Sequence, residues 1–107
     1  MQQLIYLGLF LVTSYACPPH CGTTASGLRV GPGHIAADWR LLPPGTQLEM
    51  NGYSGVVTDT GGAIKGQRLD VWQPTPSLAF AWGRRTLPVW RIEYLPVEEY
   101  SGGESDS

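Results

Sequence analysis

Formal charge is scarce in this 107-residue chain, where only 15% of the residues are Asp, Glu, Lys or Arg. No Lys/Arg-rich run with interleaved aromatic residues is present, so the electrostatic footprint of a nucleic-acid-binding protein is missing. Histidine is rarer still. His20 and His34 have no partner at catalytic spacing, and no Ser-His-Asp arrangement can be read. The cysteines are limited to Cys17 and Cys21, which with His20 give zinc three ligands crowded into one tight loop and no second cluster. Haem-attachment and Cys-x-x-Cys redox spacings are each missed by one residue, leaving a small disulfide loop or a pair of free thiols. A disulfide would imply an oxidising compartment. Long apolar runs are absent as well, because Leu4 to Val12 is too short to cross a membrane as a helix. A phosphate-cradling loop is excluded, since Gly61 to Gly66 is followed by Gln67 where Lys and Ser or Thr are needed.

What the chain does have is glycine and proline, 14 and 9 residues respectively, which suit short strands punctuated by turns. The length fits one small domain, and an all-β barrel or sandwich is the expected class. The net charge of -2 conceals an asymmetry. Of the nine acidic residues, Glu98, Glu99, Glu104 and Asp106 lie near the C-terminus, leaving five acidic against seven basic residues in the body. Residues 97–107 read as a disordered acidic tail.

The N-terminal region has two readings. Residues 1–9 are an extension or the remnant of a signal segment, with Ser14-Tyr15-Ala16 as a small-residue cleavage site ahead of Cys17. Alternatively, Phe10 to Tyr15 begins the domain as a strand rich in β-branched and aromatic residues, and residues 10–96 form the barrel. Thr23 to Gly27 is turn chemistry, and Ser26 has no adjacent base to make it a nucleophile. Ile35 to Asp38 is a short strand ending on an aspartate, which either faces a site or caps the turn Trp39 to Leu42. Thr46 to Met50 and Tyr53 to Thr58 flank Asn51-Gly52, a strong hairpin signal. Thr75 as N-cap, Pro76 at the first helical position and Gly83 as the stop define one short helix, with Leu78, Ala79 and Trp82 as its apolar face. Arg85 to Leu95 alternates as a last strand, where Pro88 marks an edge or bulge.

The chemistry concentrates between Val56 and Trp72, where two strand-like runs each carry an aspartate beside a glycine-rich turn. Period-two alternation puts Val57 and Asp59 on one face, and Arg68, Asp70 and Trp72 on one face of the next run. Two carboxylates sharing a partly desolvated cleft disfavour double ionisation, so one of them becomes a usable proton donor. The competing reading is a hairpin whose aspartates cap turns. Asp59-Thr60-Gly61 also resembles the active-site triplet of a retropepsin-type aspartic protease, which with one copy per chain would require a homodimer.

The letters resemble the three-aspartate, or 3D, domain family across most of the chain. The likeness runs from Val12-Thr13-Ser14-Tyr15 through Thr24-Ala25-Ser26-Gly27, Ile35-Ala36-Ala37-Asp38 and Leu42-Pro43-Pro44-Gly45-Thr46. It continues through Asp59-Thr60-Gly61-Gly62-Ala63-Ile64-Lys65-Gly66 and Arg68-Leu69-Asp70-Val71, and closes on Ala81-Trp82-Gly83-Arg84-Arg85. The resemblance implies a double-psi β-barrel of about six strands with one short helix, and Asp38, Asp59 and Asp70 lining one end. It also implies non-hydrolytic cleavage of the β-1,4 bond between N-acetylmuramic acid and N-acetylglucosamine in peptidoglycan, with no metal or organic cofactor. On that reading Asp70 is the general acid and base, Asp59 stays ionised beside it, and Asp38 supports them. Thr24, Gly62 and Lys65 are substrate-contact or loop-shaping positions, while Trp39, Tyr53 and Trp72 either stack on sugars or fill the core. The partner is then a peptidoglycan glycan strand, the location the cell envelope or the exterior, and the alternative function a sugar-binding barrel without cleavage.

Overall fold

The structure of the protein, a computed structural model, describes residues 1–19 and 21–95. The expected tail, 97–107, and His20 lie outside the described residues. The elements are β1 (Gln2–Ala16), β2 (His34–Ala37), β3 (Gln47–Met50), β4 (Tyr53–Asp59), β5 (Arg68–Gln73), α1 (Pro76–Trp82) and β6 (Arg85–Tyr94). Hydrogen bonding in the order β1-β5-β2-β4-β3-β6 closes the six strands into the expected barrel. Two of its pairings, β1 with β5 and β2 with β4, are parallel.

Each strand sends alternate apolar side chains inward. Val12 from β1, Ile35 and Ala37 from β2, Leu48 and Met50 from β3, Val57 from β4, Leu69 and Val71 from β5 and Val89 from β6 are all fully buried. Burial of each larger aliphatic side chain contributes about 1.5–3 kcal/mol, so the interior is a packed core and not a pore.

Local signals act where they were expected. Asn51 and Gly52 both take positive φ, 41° and 82°, as a tight two-residue hairpin between β3 and β4 demands. The Thr75 hydroxyl accepts from the Leu78 amide at 3.2 Å to cap α1, Pro76 opens the helix, and the Gly83 amide closes it on the Ala79 carbonyl. The expected apolar face is only partly used. Trp82 packs against the core and donates its indole N–H to the Val12 carbonyl, whereas Leu78 remains exposed. Pro88 sits where β6 is paired with β1 but not yet with β3, so its missing N–H breaks no bond to β3.

The N-terminal boundary differs from expectation. β1 begins at Gln2, not Phe10, and residues 2–6 pair with Trp90 to Tyr94 of β6. The stretch 1–9, read from sequence as an extension or signal remnant, is therefore almost wholly strand. A register shift between Tyr6 and Gly8, where Gly8 has φ 115°, bends β1 on its way into the barrel.

Candidate functional site

Register explains how two aspartates from separate strands come to share a face. Asp70 of β5 stands opposite Thr13 of β1 on one side and Ala36 of β2 on the other. Across β2, Ile35 is paired with Val57 of β4, yet Ala36 is paired with Asp59. Thr58 is thus a surplus residue, a bulge in a parallel pair. The bulge corrects the simple alternation of the sequence. Val57 points into the core, while Asp59, two residues on, is turned to the outer face that carries Ala36 and Asp70. The result is a row of four across adjacent strands, Thr13, Asp70, Ala36 and Asp59. Two strand spacings place the Cα atoms of Asp59 and Asp70 roughly 10 Å apart, with Ala36 on the strand between them.

A cleft of about 180 Å³ opens on this row, lined by Tyr15, Ala36, Asp59, Thr60, Gly61 and Asp70. A second hollow of similar size adjoins it through the shared Tyr15 and Asp59. Each carboxylate is held. Thr13 Oγ1 donates to Asp70 Oδ1 at 3.0 Å, and Asp59 Oδ1 accepts from the backbone amides of Ala25 at 3.0 Å and Thr60 at 2.9 Å. The Trp39 indole donates to the Asp59 carbonyl at 2.9 Å, fixing the backbone at the bulge. Burial pushes the Tyr15 phenol up from its ordinary value, and the charges of Asp59 and then Asp70 push it further. Tyr15 therefore keeps its proton at neutral pH, and its hydroxyl feels both carboxylates.

Asp38 does not join them. Its side chain is 3% exposed and lies outside the cleft lining. Arg40 clasps it through Nε at 3.1 Å and Nη2 at 2.9 Å, and the amides of Arg40 and Gly66 donate to it at 3.1 and 2.9 Å. The Arg40 guanidinium, followed by the Gly66 amide, holds the Asp38 carboxyl well below the usual range. Asp38 is thus a bracket between the turn Trp39 to Leu42, which it caps, and the glycine-rich loop that leads into β5. The expectation of three aspartates lining one end is corrected to two, with the third buried as a support.

The remaining expected positions divide in the same way. Thr24 is buried, and its hydroxyl meets Ser26 Oγ and accepts from the Leu28 amide, so it shapes the loop that presents Ala25 to Asp59. Gly62 and Lys65 are exposed on the loop after Asp59 and stand outside the cleft lining. Cys17 and Cys21 form a disulfide just beyond the end of β1. Trp72 is buried, and Trp39 and Tyr53 pack against the core. Tyr15 and Ala36, not singled out as site residues from sequence, line the cleft, and Thr13, likewise missed, holds Asp70 from the neighbouring strand. Their only signal was membership of the motif runs, because the parallel pairing that gathers them is not written locally. A larger groove of about 600 Å³ on the barrel wall contains neither aspartate. Reactive side chains favour the smaller cleft as the chemical site.

The 3D domain model matches residues 33–93. The chain belongs to the 3D domain family. YabE of Bacillus subtilis (strain 168), named for cell wall shaping, is 37% identical to this 3D domain over 79 residues, covering 69% of the chain and 19% of YabE. The cell wall-binding protein YocH of the same organism is 38% identical over 73 residues, covering 64% of the chain and 25% of YocH. Among solved structures, Escherichia coli MltA with bound chitohexaose matches at TM-score 0.60 and 29% identity, over 69% of the chain and 28% of MltA. A further crystal structure of MltA, described as a lytic transglycosylase fold, matches at TM-score 0.59. The 3D domain here thus spans about a fifth to a quarter of the curated relatives' length, and its relatives are cell-wall proteins.

Proposed function

We propose that this 3D domain is a lytic transglycosylase that cleaves the β-1,4 bond between N-acetylmuramic acid and N-acetylglucosamine without water. The observation that carries the reading is the placement of Asp59 and Asp70 on one outer face, separated by Ala36 and opening on a cleft. Ordinary glycosidases need one carboxyl group for the leaving oxygen and a second to attack the sugar or to activate water. The 6-hydroxyl of muramic acid can replace that water. Asp70 enters the cycle protonated and donates its proton to the O4 leaving oxygen as the C1–O4 bond breaks. The 6-hydroxyl oxygen then bonds to C1, and Asp70 takes the hydroxyl proton, which regenerates its starting state and leaves a 1,6-anhydro end. Asp59, its Oδ1 held by two backbone amides, opposes the positive charge that develops on the ring. Tyr15 stays protonated beside the two acids as a neutral hydrogen-bonding group. The named activity of MltA and its bound chitohexaose support this assignment of substrate class. The cell-wall names of YabE and YocH support a location in the cell envelope or outside the cell.

The experiment is mass spectrometry of muropeptides released from purified peptidoglycan. Asp70→Asn is expected to abolish anhydro-muropeptides with little change in melting temperature, and parent-like release by that variant would remove Asp70 from the mechanism. A second reading, a barrel that binds the cell wall without cutting it, is favoured by the name of YocH. Retention on insoluble peptidoglycan with no anhydro product from the parent protein would select it. The retropepsin-like reading would need a second Asp59-Thr60-Gly61 from a partner chain, whereas the second acid of this cleft is Asp70 of the same chain.

A further inference from the structure

The outer wall of the barrel carries a second feature that the cleft chemistry does not use. Register aligns Leu4, Ile92, Gln47, Val56 and His34 in one row across β1, β6, β3, β4 and β2. Along and beside this row runs the groove of about 600 Å³, within the size range of small-ligand sites.

Its chemistry is selective. Among the described residues, no Asp, Glu, Lys or Arg lines it. The Glu49 carboxylate stands at its rim and accepts from the Ser54 hydroxyl, so a free carboxylate on a peptide stem would lose water there and gain no counter-charge. The polar groups present are the amides of Gln2 and Gln47, the hydroxyls of Ser54, Thr58 and Tyr94, and the His34 imidazole. These groups can both donate and accept, as neighbouring sugar hydroxyls and an acetamido group require. Four of them are already oriented in two pairs, since Gln2 Nε2 donates to Tyr94 Oη at 3.3 Å and Thr58 Oγ1 meets His34 Nδ1 at 2.9 Å. Apolar surface lies between the polar groups. Leu28 and Tyr94 are 54% and 64% exposed and offer their faces to sugar C–H groups. Beside the groove, Tyr6 and Trp90 extend the aromatic surface with ring centroids 5.4 Å apart.

The groove also adjoins the cleft. The bulge sends Thr58 toward the groove and Asp59 toward the cleft. His34 and Ala36, one in each, are two positions apart on β2, roughly 7 Å. The loop 24–28 stands between them, with the Ala25 amide on Asp59 and Leu28 in the groove. We propose that this groove is an uncharged subsite for an N-acetylated sugar chain, holding the stretch of glycan that continues beyond the bond at the cleft. The identity of the polymer rests on the transglycosylase reading; the uncharged, sugar-type lining does not.

The test uses the full chain in an Asp70→Asn background, titrated with an N-acetylglucosamine hexasaccharide and, separately, with a sugar-free stem peptide, while amide shifts are followed. The hexasaccharide is expected to move the signals of Gln2, Gln47 and Tyr94, and Tyr94→Ala combined with Gln47→Ala to weaken its binding at least tenfold without changing the melting temperature by more than a few degrees. Unaltered affinity in the double variant overturns the subsite. So do groove shifts produced by the stem peptide alone, or by protein concentration alone, the latter revealing contact with a second copy. The unmutated groove still reports through its shifts if the double variant fails to fold. Product release separates the two readings. Asp70→Asn that still yields anhydro ends refutes the cleft mechanism whatever the groove does, whereas a silent Asp70→Asn with parent-like binding by the groove variants refutes the groove alone.

Discussion

Ala36 offers the most direct test of the cleft, because it is the floor between the two carboxylates and only 5% exposed. Substituting valine and then leucine adds bulk on the outer face, away from the core residues Ile35 and Ala37 that flank it. In a strand such a change alters intrinsic preference by no more than about 1 kcal/mol, and valine is a favoured strand residue. The added methyl groups instead occupy volume that a sugar must enter in a cleft of about 180 Å³. Forcing surplus methylene groups into a filled site costs about 1–3 kcal/mol. At about 1.36 kcal/mol per tenfold, that predicts a loss of roughly 5- to 150-fold in kcat/KM. Leucine takes up more of the cleft than valine does, so activity is expected to fall monotonically from the parent through Ala36→Val to Ala36→Leu. The assay is the initial rate of anhydro-muropeptide release at substrate below KM, with a thermal melt on each variant. An Ala36→Leu protein that melts like the parent and retains kcat/KM within about twofold, well inside the expected loss, would show that no sugar passes between Asp59 and Asp70.

Three further outcomes follow from the geometry. Asp59→Asn is expected to lower the rate of anhydro-muropeptide release, because it removes the carboxylate set to oppose positive charge on the sugar ring; parent-like turnover argues against that role. Asp38 has its folded-state pKa lowered below its ordinary value of 3.8, so the stability it contributes is fully present above that value and is lost as pH falls through it toward the folded pKa. Asp38→Asn should therefore melt earlier at neutral pH, and its deficit relative to the parent should shrink below about pH 4, with a pH-independent deficit counting against the ion pair as the cause. Gly55→Ala places a Cβ 2.6 Å from the Gly33 carbonyl oxygen and 2.8 Å from Ile35 Cδ1, and should cost about 1–3 kcal/mol in denaturant melts. A parent-like midpoint would mean that β2 and β4 can part without penalty.

How much could be read from the letters depended on the range over which each feature is encoded. Asn51-Gly52 and the Thr75, Pro76 and Gly83 boundaries of α1 were legible because the turn and the caps are made by the residues themselves. The family runs indicated a six-stranded barrel and both cleft acids. The length of β1 was not legible. Leu4 to Val12 is apolar on both faces, since Leu9 remains exposed while its neighbour Phe10 is buried, so no period of two distinguishes it from a leader core. The neighbours of Asp70 were hidden for another reason. Thr13 meets Asp70 from 57 positions away through a parallel pairing, which leaves no trace in local alternation. For Asp38 the letters left a site role and a turn cap open together, and only the fold reveals Arg40 and the Gly66 amide closing around it.

The surplus residue in β4 makes the sidedness of Asp59 a matter of counting. Were the two strands to anneal in step at unchanged length, Asp59 would fall into phase with Val57 and a carboxylate would be driven into hydrocarbon. Thr58 guards against that slip from both ends, its hydroxyl seated on His34 and its carbonyl on the Ser26 amide. Trimming the strand by that one residue would leave the acid on the wet side but strip away both fasteners, so the parity of β4 and the seat of the 24–28 loop are a single inheritance.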